Sequence, residues 1–138
     1  MKRELILSLF SVVLITQSIF ASNNCTVIGV HEPNSNVYDG PTWCDSVILP
    51  DITVRGPLTI TGSKIAGKMS VSGPVKSSHS SIESITIESN FSQNKIILET
   101  GTTISKNIVF KGIKGIVYRD KTSCVNGHII NGDEKLLR

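Results

Sequence analysis

Aromatic residues make up only 5% of the 138-residue chain, charged residues only 18%, and there are three cysteines. Each scarcity excludes something. Beyond Ala21 the aromatics are Trp43, Tyr38, Tyr118, Phe91 and Phe110. With no cluster of Lys and Arg interleaved among them, nucleic acid is not an expected partner. No Cys-x-x-Cys and no Cys/His spacing of a zinc site occurs, so no metal is expected. No Gly-x-Ser-x-Gly elbow accompanies the many serines, and neither cofactor nor catalytic motif is present. The formal charge is +3 and demands no acidic partner.

The longest apolar run is short and lies at the start. Lys2 and Arg3 precede Leu5 to Ile15 without a charge, and the chain then reaches Ile19-Phe20-Ala21. A positive segment, an apolar segment and a small residue at the end read as a secretory signal peptide over residues 1–21, cleaved after Ala21. A membrane span needs about 20 apolar residues, and here Thr16, Gln17 and Ser18 dilute the run. An uncleaved anchor is the alternative. Lys2-Arg3 is not a twin-arginine pair, and Cys25 follows Asn24 rather than a small residue, which argues against a lipoprotein. Cleavage after Ala21 leaves Ser22 to Arg138, enough for one domain and too few for two. The expected destination is secreted or periplasmic.

Three cysteines in an oxidising compartment imply one disulfide and one leftover thiol. Cys25 and Cys44 flank the turn-rich segments Pro33-Asn34-Ser35-Asn36 and Tyr38-Asp39-Gly40-Pro41, so they are the expected pair, with Cys124 as the free thiol.

What the chain has in abundance is Ile, Val, Ser, Thr and Gly in a repeating order. A Ser or Thr, any residue, and an Ile or Val are followed by an apolar anchor and a second apolar residue two places on. The instances are Ser46-Val47-Ile48 leading to Ile52 and Val54, Ser63-Lys64-Ile65 to Met69 and Val71, and Ser80-Ser81-Ile82 to Ile85 and Ile87. Thr102-Thr103-Ile104 leads to Ile108 and Phe110, and Ser123-Cys124-Val125 to Ile129 and Asn131. The anchors are thus Ile52, Met69, Ile85, Ile108 and Ile129, and the step from Ile85 to Ile108 is the widest. A period of roughly 20 positions predicts a solenoid.

Further apolar patches at Leu58 and Ile60, Val75, Ile96 to Leu98 and Ile116 to Tyr118 supply a third strand per turn. Strand alternation places the Ser/Thr and Ile of each signature inward, and the Ser/Thr hydroxyls are expected to bond backbone at a corner. Helices are excluded by Gly56-Pro57, Gly73-Pro74 and the β-branched composition. The expected fold is all-β, a parallel β-helix of about four turns over residues 46–132, with a cap over 22–45 packed through Trp43 and a polar tail over 133–138. A small β-sandwich is the alternative, although its strands have no reason to share in-phase columns.

The steps Ile52-Thr53-Val54-Arg55-Gly56 and Met69-Ser70-Val71-Ser72-Gly73 resemble those of short parallel β-helices, most nearly the polymer-forming bactofilins. The resemblance implies a scaffold that assembles by end-to-end stacking. That family is usually cytoplasmic and has no N-terminal cysteine loop, and both points differ from this chain.

Individual candidates for chemistry carry little. Glu83, Glu88 and Glu99 share no column, and His31, His79 and His128 lack a nucleophile and an orienting partner. Asn24-Cys25-Thr26 and Asn90-Phe91-Ser92 match glycosylation acceptors. The expected function is therefore an exported, non-enzymatic module presenting a solenoid face to a partner, a surface or itself. A polysaccharide-binding or polysaccharide-cleaving protein and an adhesin-like surface protein are the alternatives.

Overall fold

The computed structural model describes residues 24–89 and 94–138. The signal segment 1–21 and the acceptor Asn90 lie outside the described residues. Among the described residues there is no helix.

The chain winds through about six coils. The first holds β3 (Val37–Asp39) and β4 (Thr42–Asp45), and the second β5 (Ile48–Leu49), β6 (Ile52–Arg55) and β7 (Leu58–Thr61). The third holds β8 (Lys64–Val71) and β9 (Val75–Ser78), and the fourth β10 (Ser81–Ile87) and β11 (Lys95–Glu99). The fifth has β12 (Thr103–Ile104), β13 (Ile108–Phe110) and β14 (Gly115–Arg119), and the sixth β15 (Cys124–Val125), β16 (Ile129–Ile130) and β17 (Gly132–Leu136). Equivalent strands pair in parallel from coil to coil. Two short strands, β1 (Thr26–Val27) and β2 (Val30–His31), instead run antiparallel to β4 and β3.

Register makes the inward columns explicit. Ile52, Met69, Ile85, Ile108 and Ile129 stand above one another, as do Leu49, Ile65, Ile82, Ile104 and Val125. The first four of each set are buried. Stacked aliphatic side chains about 4.8 Å apart form one continuous core, which is why no single coil is stable alone.

The corners are equally repetitive. Gly40-Pro41, Gly56-Pro57 and Gly73-Pro74 occupy the same corner in the first three coils, where backbones approach so closely that a Cβ on Gly56 would stand 2.8 Å from the Gly40 carbonyl carbon. At another corner the inward hydroxyls form a ladder. Ser63 Oγ accepts from Val47 N at 3.1 Å, Ser80 Oγ from Ser63 N at 3.1 Å, and Ser123 Oγ from Thr102 N at 3.1 Å. Ser63 and Ser80 also donate to the carbonyls of Thr61 and Ser78. These buried hydroxyls are small enough to turn inward and fully satisfied there, so they serve the turn.

The irregular spacing has a local cause. Between β8 and β10 the register shifts, which makes the step from Met69 to Ile85 the shortest. The wide step from Ile85 to Ile108 comes from the corner after Ile87, where Asn94 is buried and donates to the carbonyls of Ser89 (3.1 Å) and Ile113 (2.7 Å). The wider cross-section is filled by the Phe110 ring, against which Gly115 and Gly132 pack without room for a Cβ.

Four expectations need correction. The coils number about six rather than four, because Val37 to Asp45, expected as cap loop, already forms the first coil. Ile48 points outward and is 67% exposed, while Val47 and Leu49 take the inward places. The reason is Ser46, whose φ of 56° makes it the corner itself and shifts the strand by one residue. Trp43 is outward too, and the cap is packed instead by fully buried Tyr38, which stands in the column of Val54 and accepts from Cys25 N at 3.1 Å. Finally, the polar residues from Gly132 onward do not end the strands but form β17 beside β14.

Candidate functional site

The two ends of the solenoid are closed differently. At the first end the Cys25–Cys44 disulfide ties the chain entering β1 to the adjacent strand β4, with Cys44 above Ile60. Beside it, His31 stacks on Tyr38 with ring centroids 4.3 Å apart. At the other end Glu134 lies in register with buried Val117, and Arg119 with buried Leu98. Arg119 Nε meets Glu134 Oε1 at 3.1 Å, and its Nη1 donates to the Ser123 carbonyl at 3.3 Å. Charged residues in inward columns at a strand edge discourage further pairing there.

Between the ends, three outward surfaces remain. One carries Ile48, Lys64, Ser81, Thr103 and Cys124 in a single column. Cys124 is exposed and unbridged, with its thiol 3.8 Å from the Thr103 hydroxyl. A second side carries Val37, Thr53, Ser70, Thr86, Val109 and Ile130, of which Thr86 is itself buried. The third is a seven-stranded sheet in the order β1-β4-β7-β9-β11-β14-β17, which crosses every coil. Its central outward column reads Trp43, Thr59, Lys76, Ile97, Tyr118 and Lys135. Trp43 is 42% exposed, Ile97 and Tyr118 are half-buried, and Lys95 Nζ lies 6.0 Å from the Tyr118 ring centroid.

The acidic residues singled out in the sequence are dispersed. Glu83 pairs with Lys106 at 2.7 Å, Glu88 with Lys111 at 3.1 Å, and Glu99 with Lys76 at 3.3 Å, each across neighbouring coils. In these contacts each glutamate faces a lysine rather than a second carboxylate. Among the described residues no three His, Cys, Asp or Glu side chains could hold a metal ion, and every buried side-chain N or O atom has a partner.

Asp120 is the carboxylate most altered by its surroundings. Its carboxyl is held at about 2, below the usual carboxylate range, chiefly by the Thr100 N–H at 2.7 Å, with the Thr122 N–H and hydroxyl adding to it. It pins a corner rather than a substrate.

His31 Nε2 lies 2.8 Å from the Ser35 carbonyl within the cap, and His128 N donates to Asn107 Oδ1 across a corner. His79 occupies a left-handed corner, with φ of 51°, beside a groove of about 560 Å³. Composition could not reveal that groove, since it is assembled from residues that belong to successive coils.

No family model, curated protein or solved structure matches the chain. The solenoid assignment rests on the strand register itself.

Proposed function

We propose that the chain is an exported, non-enzymatic binding module that presents the seven-stranded side of its solenoid to a partner outside the cytosol. The observation that carries this reading is the outward column with Trp43, Ile97 and Tyr118 on a sheet spanning all coils. Trp and Tyr on a rigid, flat support combine large contact area with little conformational entropy to lose, and they dominate interface energetics.

Two further features support a binding role on the side of the solenoid. The first end is covered by β1 and β2, and the last carries Arg119 and Glu134 in inward columns at its free edge, which disfavours the end-to-end stacking implied by the bactofilin resemblance. The carboxylates are spent on lysines, which favours a structural role over polysaccharide cleavage. The disulfide is compatible with an oxidising destination, as the leader over residues 1–21 implies. Among the described residues, no helix is long and apolar enough to cross a membrane.

The test is site-specific photocrosslinking in the cells that export the protein. A photoreactive residue at Thr59, on the seven-stranded side, should capture a discrete partner, and one at Ser70, on the second surface, should not. Equal capture from both positions, or none from Thr59, would remove this assignment.

A further inference from the structure

A groove lies on a different side of the solenoid, at the corner that leads into β5, the start of β8, the start of β10, and β12. In successive coils this corner is made by Ser46, Gly62, His79 and Gly101, with φ values of 56°, 57°, 51° and 76°. Four left-handed corners stacked in line leave a groove that runs along the solenoid axis. Its far wall is the outward column Ile48, Lys64, Ser81 and Thr103. Its floor is the ladder of small inward residues Val47, Ser63 and Ser80. Three inter-coil steps of about 4.8 Å make the groove roughly 14 Å long, and its volume of about 560 Å³ is in the range of ligand sites.

The chemistry of the walls narrows the occupant. Corner backbone N–H groups are all spent: Ser46 N on Thr61 O, Gly62 N on Ser78 O, and His79 N on Thr100 O, each at 3.0 Å, and Gly101 N on Thr122 Oγ1 at 2.8 Å. A peptide added by main-chain pairing would find no free donors there. What remains is side-chain chemistry. Lys64 has no ion-pair partner among the described residues, unlike Lys76, Lys106, Lys111 and Lys114. Beside it stand the His79 ring and the Ser81 hydroxyl, neither of which makes a hydrogen bond within the described residues. The carboxylate next in sequence to the corner, Asp45, accepts from the Ser46 hydroxyl at 3.0 Å.

An axial groove requires an extended ligand, the unspent Ser81 hydroxyl suits a ligand that offers hydroxyls, and an unpaired lysine beside a histidine suits one that carries carboxylates. We infer that this corner binds an extended acidic polysaccharide, a chain of uronic acid units lying along the solenoid axis with its carboxylates toward Lys64 and His79. The site is independent of the seven-stranded side and does not require a partner there.

Calorimetric titration of the mature protein with an alginate hexamer, and with maltohexaose as the neutral counterpart, tests the assignment. Alginate should bind and maltohexaose should not. Lys64→Ala and His79→Gly should each weaken alginate binding about tenfold, as expected for loss of one charge-assisted contact. Glycine accepts the left-handed corner, so His79→Gly should fold as well as the parent. Ser70→Ala, on the second surface, should leave alginate affinity unchanged. Failure of the parent protein to bind alginate, equal affinity for the two sugars, or unchanged affinity in both groove variants would overturn the inference.

Discussion

The two ends of the solenoid solve one physical problem in opposite ways. Each leaves strands with a free edge and a cross-section of apolar side chains facing outward. At the first end, Tyr38 is sealed in the core column and a disulfide ties the neighbouring antiparallel strands β1 and β4 together. At the last end, β15, β16 and β17 keep their outer edges, Leu136 is 52% exposed, and the ion pair of Arg119 and Glu134 bridges β14 and β17 while partly exposed. The first closure contributes stability. The second contributes little to stability and acts chiefly by making continued stacking unfavourable.

That contrast can be broken experimentally. Tyr38→Ala removes a fully buried ring and should cost about 3–5 kcal/mol in denaturant unfolding, as for other aromatic truncations. Leu136→Ala at the other end should cost well under about 1 kcal/mol, because half of its surface is already in water. Comparable costs at the two ends would refute the asymmetry.

Opening the disulfide by Cys25→Ser with Cys44→Ser should cost about 2–4 kcal/mol by the same measurement, given a sequence separation of 19 residues. Joint replacement of Arg119 and Glu134 by Leu should shift stability by less than about 1 kcal/mol, since the pair is partly exposed. It should nevertheless create concentration-dependent association, visible by light scattering. Association without any change at the first end would separate the two roles.

The smallest effect concerns Asp120. Its carboxyl is held at about 2 against the ordinary 3.8, so its contribution is present above the unfolded value and disappears as pH falls through the folded one. The stability gap between the parent and Asp120→Asn should therefore be constant above about pH 5 and shrink steadily between about pH 5 and 1. A gap as large at pH 2 as at pH 7 would mean that the Thr100 and Thr122 contacts do not depend on the charge.

The interior coils were legible because their columns repeat one kind of residue. Ile52, Met69, Ile85, Ile108 and Ile129 could be stacked from spacing alone, and so could Ile65, Ile82, Ile104 and Val125. The cysteine pair was legible from the turn-rich loop between its members.

What stayed hidden lies where the ends change the pattern. Tyr38 stands where later coils have Val54, Val71 and Ile87, and an aromatic residue there masked the first coil. Its signal was present nonetheless: Gly40-Pro41 repeats the corner of Gly56-Pro57 and Gly73-Pro74. The last strand was masked by Glu134, whose charge blunts the end and so departs from the apolar column. Ile48 was placed in the wrong phase because nothing in its residue type reveals that Ser46 adopts a left-handed corner. The candidate groove was illegible for the same reason, since it depends on four such corners falling in line.

The claim that the side of this solenoid, rather than its ends, does the work is tested most directly by sedimentation velocity of the mature protein with the Cys124 thiol blocked. Closed ends predict a single species with the mass of one chain over a wide range of concentration. A ladder of end-to-end oligomers or filaments that grows with concentration would contradict it.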